Sequence, residues 1–159
     1  MNTESSAGDA DARARDAVQA LYAGDAASKR LGIEILEVAP GRVRIAMIVR
    51  PDMVNGHGIC HGGLLFTLAD SAFAFACNSH GIAMVAAGAA IEFLAPAPQG
   101  ERLIADAVET FRTDRHGIYD IAISNSGGEQ FAHFRGRCAR LRLPGPPAGR
   151  PPSSPQDAP

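Results

Sequence analysis

The chain has 159 residues, of which 46% are hydrophobic and 20% charged, and its formal net charge is −2. That length suits a single domain able to bury about two-thirds of its unfolded surface. The near-neutral balance gives no electrostatic reason to expect a nucleic-acid or membrane partner.

The first nine residues are polar with Ser and Gly and are expected to be disordered, and no basic-then-apolar leader opens the chain. Asp9 to Tyr22 is Ala-rich, with Ala14, Ala17, Val18, Leu21 and Tyr22 at helical spacing, which predicts a short amphipathic helix ending near Gly24. Leu31 to Val38 nearly alternates and reads as a strand. Ala39-Pro40-Gly41-Arg42 is turn chemistry, and Val43 to Val49 reads as the returning strand. Arg50 to Gly63 is a glycine-rich loop that leads into an apolar helix over Gly63 to Ser79.

Period-two patterning follows, with strands expected at Met84 to Leu94, Arg102 to Asp114, Ile118 to Ser124 and Glu129 to Leu143. The run from Ile82 to Ile91 is the longest apolar stretch, too short and too rich in Gly and Ala to span a bilayer. Past Leu143, Pro, Gly, Ser and Ala dominate. The expected organisation is a disordered start at 1–9, a domain over 10–142 and a flexible Pro-rich tail over 143–159.

The three cysteines, Cys60, Cys77 and Cys138, are an odd number without a Cys-x-x-Cys pair, so a reduced, cytoplasmic protein is expected. A helix that is apolar on most faces needs wrapping, and a curved antiparallel sheet does this economically, which sets the class as α+β. One sheet cannot cover such a helix completely, so a second copy is expected to complete the burial.

Asp70 is the one carboxylate in that helix. Left unpaired among apolar neighbours it would cost several kcal/mol or take up a proton, so it has either a structural partner or a chemical task. Gly62 and Gly63 stand at the start of the helix, where free N–H groups and the missing Cβ create a site for developing negative charge. A carboxylate two turns inside a helix with such a mouth suggests acyl-transfer or hydrolytic chemistry.

The run His61-Gly62-Gly63, then Phe66-Thr67-Leu68-Ala69-Asp70-Ser71-Ala72-Phe73-Ala74 and Ala76-Cys77-Asn78-Ser79, resembles the motif of hotdog-fold acyl-CoA thioesterases. More narrowly, it is similar to the thioesterases of bacterial phenylacetic acid degradation. Ile91-Glu92-Phe93-Leu94-Ala95-Pro96, Gly117-Ile118-Tyr119-Asp120-Ile121 and Phe134-Arg135-Gly136-Arg137 extend the likeness over about residues 12 to 142.

The resemblance implies a hotdog fold, a curved antiparallel sheet wrapped around one central helix. It also implies dimers that often pair into tetramers, and hydrolysis of acyl-CoA thioesters with no metal or prosthetic group, coenzyme A being part of the substrate. It maps the acting carboxylate to Asp70, the oxyanion-hole amide to Gly62, the motif histidine to His61 and a helper asparagine to Asn55. Where some relatives carry a hydroxyl on the strand after the helix, this chain has Val85-Ala86-Ala87-Gly88-Ala89-Ala90.

Asp70 can act as general base on water or as a nucleophile forming a mixed anhydride. Gly62 offers its N–H to the carbonyl as it becomes an oxyanion, with Gly63 beside it. Asn55 can hold water or carbonyl, or simply shape an Asn-Gly turn. His61 can touch the thioester or fix the loop. His57 and His61, four apart, would suit a metal on a helix, but the glycines around them argue for loop and no third ligand is evident.

Phe73, three residues past Asp70, is the aromatic expected to line an acyl site. Arg112, Arg115, Arg135 and Arg137 are candidates for the phosphates of coenzyme A. Two other functions fit the pattern less well: a hotdog dehydratase or hydratase on 3-hydroxyacyl thioesters, which wants a converging carboxylate–histidine pair, and a non-catalytic acyl-CoA-binding module.

Overall fold

The computed structural model describes residues 3–141. Along the chain lie helix α1 (Thr3–Gly24), helix α2 (Ala26–Arg30), strands β1 (Glu34–Ala39) and β2 (Arg42–Ile48), and a 3-10 turn (Pro51–Met53). Helix α3 (Gly62–Asn78) and strands β3 (Met84–Phe93), β4 (Arg102–Arg112), β5 (His116–Ser124) and β6 (Gln130–Arg140) follow. The strands form one sheet in the order β1-β2-β4-β5-β6-β3, antiparallel throughout. This is the α+β hotdog arrangement.

Alternation builds the inner face of the sheet. Val43, Ile45 and Met47 of β2, Leu103, Ala105 and Ala107 of β4, and Tyr119, Ile121 and Ile123 of β5 are all buried. They meet Leu65, Leu68, Ala72, Phe73 and Ala76 of α3 in one core. The helix is not buried all round. Gly63, Thr67, Asp70 and Ala74, spaced four, three and four, fall on one stripe that the sheet leaves half-buried or exposed. Asp70 sits in the middle of that seam.

Helix α1 packs Ala14 and Val18 inward and sets the Tyr22 ring edge-on to Phe75, while the Tyr22 hydroxyl donates to the Ile33 carbonyl at 2.7 Å. It begins at Thr3, so residues 3–9, expected to be disordered, are helical. Ala10, Ala12 and Ala14 favour the helix. Helix α2 was not anticipated: Asp25 caps it by accepting from the Ser28 N–H at 2.9 Å, and this moves the start of β1 from Leu31 to Glu34. The tail expected over 143–159 lies outside the described residues.

Strand β3 closes one edge of the sheet and, among the described residues, bonds only to β6. Val85 through Ala90 are exposed along it although none carries a charge. Ten residues of apolar strand with one free ladder edge make a ready template for another strand. No helix among the described residues is long and apolar enough to cross a membrane.

Candidate active site

The loop from Val49 to α3 is stitched down rather than free. Asn55 and Ile59 share a 2.8 Å backbone bond, the Cys60 N–H donates to the Ala97 carbonyl at 2.8 Å, and the His61 N–H to the Met53 carbonyl at 2.9 Å. These bonds fix the entry angle of α3.

A helix start leaves four N–H groups without intrahelical partners, and here each can be followed. The Gly63 N–H donates to Nδ1 of His61, the N-cap residue, at 3.0 Å. Those of Leu64 and Leu65 reach the His61 carbonyl at 2.8 and 3.3 Å. The Gly62 N–H has no acceptor among the described residues. One donor therefore remains at the positive end of a 17-residue helix, where the macrodipole favours negative charge.

Gly62 borders a cavity of about 400 Å³, lined also by Asn55, Cys60, Leu65, Phe93 and Leu94, among others. Asn55 does both things its sequence allows. Its Oδ1 accepts from the His57 N–H at 2.9 Å to shape the turn, and its Nδ2 bonds to no described residue and remains a donor at the cavity wall. His61 is committed on the other side, since its Nδ1 is the cap acceptor and its second nitrogen is left as the free one. The Cys60 thiol lies in the wall, and burial pushes its pKa up, away from the thiolate.

Asp70 forms no hydrogen bond and no ion pair with the described residues, and burial raises its carboxyl pKa. It stands eight residues beyond Gly62 on the same helix. At the helical rise this separates the two by about 12 Å along the axis. A carbonyl held at the Gly62 N–H is therefore out of reach of the same protomer's Asp70.

Phe73 does not line the cavity. It is 1% exposed, sits tilted against Tyr119 and Phe134, and lies so close to Gly136 that an added Cβ there would fall 2.8 Å from the ring. Its position on α3 turns it into the sheet while Asp70 faces outward. Arg135 is also otherwise engaged: Nε and Nη2 clasp the two Asp120 oxygens at 2.6 and 2.7 Å, which lowers the Asp120 pKa.

Arg112 and Arg115 are exposed and carry no salt bridge among the described residues, and Arg137 reaches only the Ala87 carbonyl, at 3.4 Å. These arginines are not gathered at the mouth. Arg137 pairs with Gly88, well along β3 from Phe93. No three His, Cys, Asp or Glu side chains converge among the described residues.

Sequence reasoning missed Phe93 and Leu94 as lining residues. Both are large, apolar and exposed, at 55% and 54%, and they close a strand just before Pro96. That combination was the available signal.

A family model described as the thioesterase superfamily matches residues 57–132, which contain both Gly62 and Asp70. The acyl-coenzyme A thioesterase PaaI of Escherichia coli is 45% identical over 122 residues, covering 77% of this chain and 87% of that protein. The human acyl-coenzyme A thioesterase 13 is 32% identical over 96 residues, 58% of this chain and 69% of its own. The structure of the E. coli PaaI protein from the phenylacetic acid degradation operon superposes with a TM-score of 0.82 at 42% identity, covering 83% of this chain and 96% of that one.

Proposed function

The chain belongs to the thioesterase superfamily and hydrolyses acyl-CoA thioesters; from that premise we propose that its reacting centre is shared between two copies, the Gly62 N–H of one and the Asp70 carboxylate of the other. The observation that carries this reading is the one uncommitted N–H at the start of α3, set about 12 Å from an equally uncommitted carboxylate on the same helix. Both groups lack partners among the described residues, and neither can serve the other there. The free edge of β3 and the exposed Phe66 and Val85 offer an apolar surface for the second copy. Pairing of such dimers into a tetramer is part of the proposal.

In the proposed reaction the thioester carbonyl accepts from the Gly62 N–H, with the Asn55 Nδ2 beside it. Asp70 removes a proton from water as the water oxygen bonds to the carbonyl carbon. The oxyanion collapses, the carbon–sulfur bond breaks, and free acid and the coenzyme A thiol leave. A carboxyl whose pKa is raised by burial is a stronger base than an ordinary one. In the nucleophilic variant the Asp70 oxygen itself bonds to the carbonyl carbon, and water cleaves the resulting anhydride. Neither route calls for a metal or prosthetic group.

Arg112, Arg115 and Arg137 are the guanidiniums available for the coenzyme A phosphates, and Arg135 is not. The operon origin of the E. coli relative supports an arylacetyl acyl group. Three free, buried thiols suit a reducing compartment, and the proposed setting is the cytoplasm. A dehydratase would need a carboxylate and an imidazole meeting at the reacting carbon. The described residues hold one such pair, His80 Nε2 and Glu109 Oε2 at 2.7 Å, and it lies at the opposite end of α3 from Gly62.

The test is thiol release from a panel of acyl-CoA thioesters by parent and Asp70→Asn. The variant should fold, assemble as the parent does and lose about 10²- to 10⁴-fold in kcat. Turnover at the parental rate would remove Asp70 from the reaction.

A further inference from the structure

Phe93 ends β3 with its ring directed at the residue that supplies the donor. A Cβ built on Gly62 would lie 3.0 Å from Phe93 Cζ, 3.3 Å from Cε1 and 3.6 Å from Cε2, so the distal edge of the ring is in contact with Gly62. Phe73, Phe75, Phe131 and Phe134 are at most 1% exposed and belong to the core, whereas Phe93 is 55% exposed and lines the cavity. Its backbone is fixed. Phe93 pairs with Ala132 across the sheet, and the next residue, Leu94, donates to the Phe131 carbonyl at 2.9 Å. A rigid strand end thus presents an aromatic edge beside the oxyanion position.

Resting on the Gly62 assignment above, we propose that Phe93 sorts acyl groups by branching at the carbon next to the thioester carbonyl. A carbonyl oxygen held by the Gly62 N–H brings its own carbon, and then the α-carbon, within a few bond lengths of the ring edge. An α-methylene passes flat beside the ring. A second carbon on the α-carbon meets Cζ or Cε1. Leu65 and Leu94 on the remaining wall give that extra carbon no compensating polar contact. A single carbon added or refused in an apolar pocket is worth about 10- to 200-fold in kcat/KM.

Two isomeric substrates with the ring on the same carbon isolate the effect, (4-methylphenyl)acetyl-CoA, unbranched next to the carbonyl, and 2-phenylpropanoyl-CoA, with its methyl on the α-carbon, assayed by thiol release with the parent, Phe93→Leu and Phe93→Ala. The parent should favour the unbranched isomer by at least about tenfold in kcat/KM. Phe93→Ala should raise kcat/KM for the branched isomer in absolute terms and bring the ratio towards one, with Phe93→Leu between. A gain on one isomer is not something a misfolded or loosened variant produces. Equal use of both isomers by the parent, or an equal loss on both in the variants, overturns the role of Phe93 and leaves the hydrolase reading standing. Absence of thiol release from either isomer and from phenylacetyl-CoA in the parent, or an Asp70→Asn variant as active as the parent, overturns the reading itself and Phe93 with it.

Discussion

The two ends of α3 are built from similar side chains and treat them in opposite ways. At the C-terminal end Ser79, Glu109 and Tyr119 all find partners. Ser79 Oγ accepts from the Gly41 N–H at 2.8 Å and donates to the Ala76 carbonyl at 2.7 Å. Glu109 Oε2 receives the Tyr119 hydroxyl at 2.6 Å and meets His80 Nε2 at 2.7 Å. Burial raises the Tyr119 pKa, so the phenol stays a donor. At the N-terminal end, among the described residues, the Gly62 N–H and Asn55 Nδ2 have no partner beside a cavity, and partway along the helix Asp70 has no counter-ion. A protein that satisfies one histidine–carboxylate–tyrosine group so fully, yet leaves a donor and an acid unpaired on the same helix, keeps those two for something that is not part of the fold. On the proposed reading, completed bonding marks structure here, and incomplete bonding marks function.

The sharpest way to break this contrast within one chain is Gly62→Pro. Proline is tolerated at the first helical position, and His61 before it is already extended at φ −62° and ψ 131°, so the substitution deletes the N–H with little demand on the backbone, while the Phe93 ring has to swing away from the new Cβ, which would otherwise lie 3.0 Å from its Cζ. It should cost about 10²- to 10³-fold in kcat with the helical signal retained. A variant that keeps the parental kcat would show that Gly62 donates nothing to the reaction.

The reciprocal change is Glu109→Ala at the closed end. It strands the buried Tyr119 hydroxyl and should lower unfolding stability by about 1–3 kcal/mol in denaturant titration. The folded fraction should still turn over within about twofold of the parent, since no reacting group is touched. A fall in kcat as large as that of Gly62→Pro would erase the distinction between the two ends.

The smallest effect concerns pH. Because the Asp70 pKa is raised on folding, the folded chain holds a proton there that the unfolded chain releases. Stability therefore falls as pH rises from the ordinary carboxylate value through the raised one, and the loss is complete above it. Asp70→Asn removes the penalty. It should melt slightly above the parent at pH 7, and the gap should close as pH drops below the ordinary carboxylate value of about 3.9. The parental rate should fall on the acid side with an apparent pKa above that value. A variant less stable than the parent at neutral pH would mean that Asp70 has a structural partner after all.

Much of this was legible in the residues, and the reasons it stopped where it did are physical. Strong local patterns gave α3, the β1–β2 hairpin and the period-two strands, and the isolated acid in an apolar helix gave Asp70. Whether Gly62 is the last free donor depends on His61 curling its Nδ1 back onto Gly63, a rotamer that spacing does not fix. Phe73 and Phe93 are equally aromatic in sequence. Only the inward turn of α3 and the close approach of Gly136 bury the first, and only the end of β3 exposes the second.

Arg135 looked as available as Arg137 because its pairing with Asp120 comes from the β5–β6 register, which no local pattern reveals. The Glu109 group was invisible for the same reason, since its members come from three separate elements. Helix α2 spans five residues and carries little periodic signal, its one clue being Asp25 set three before Ser28.

The shared centre is tested most directly by mixing two inactive variants. Asp70→Asn and Gly62→Pro, each nearly silent alone, are unfolded together, refolded at equal concentrations and assayed for thiol release. If each site joins Asp70 of one copy to Gly62 of the other, every mixed dimer carries one intact site, and the mixture should recover about a quarter of the parental activity. A mixture no more active than its two components, with mixed dimers demonstrated by mass, would contradict the account, because both groups would then have to act within a single protomer.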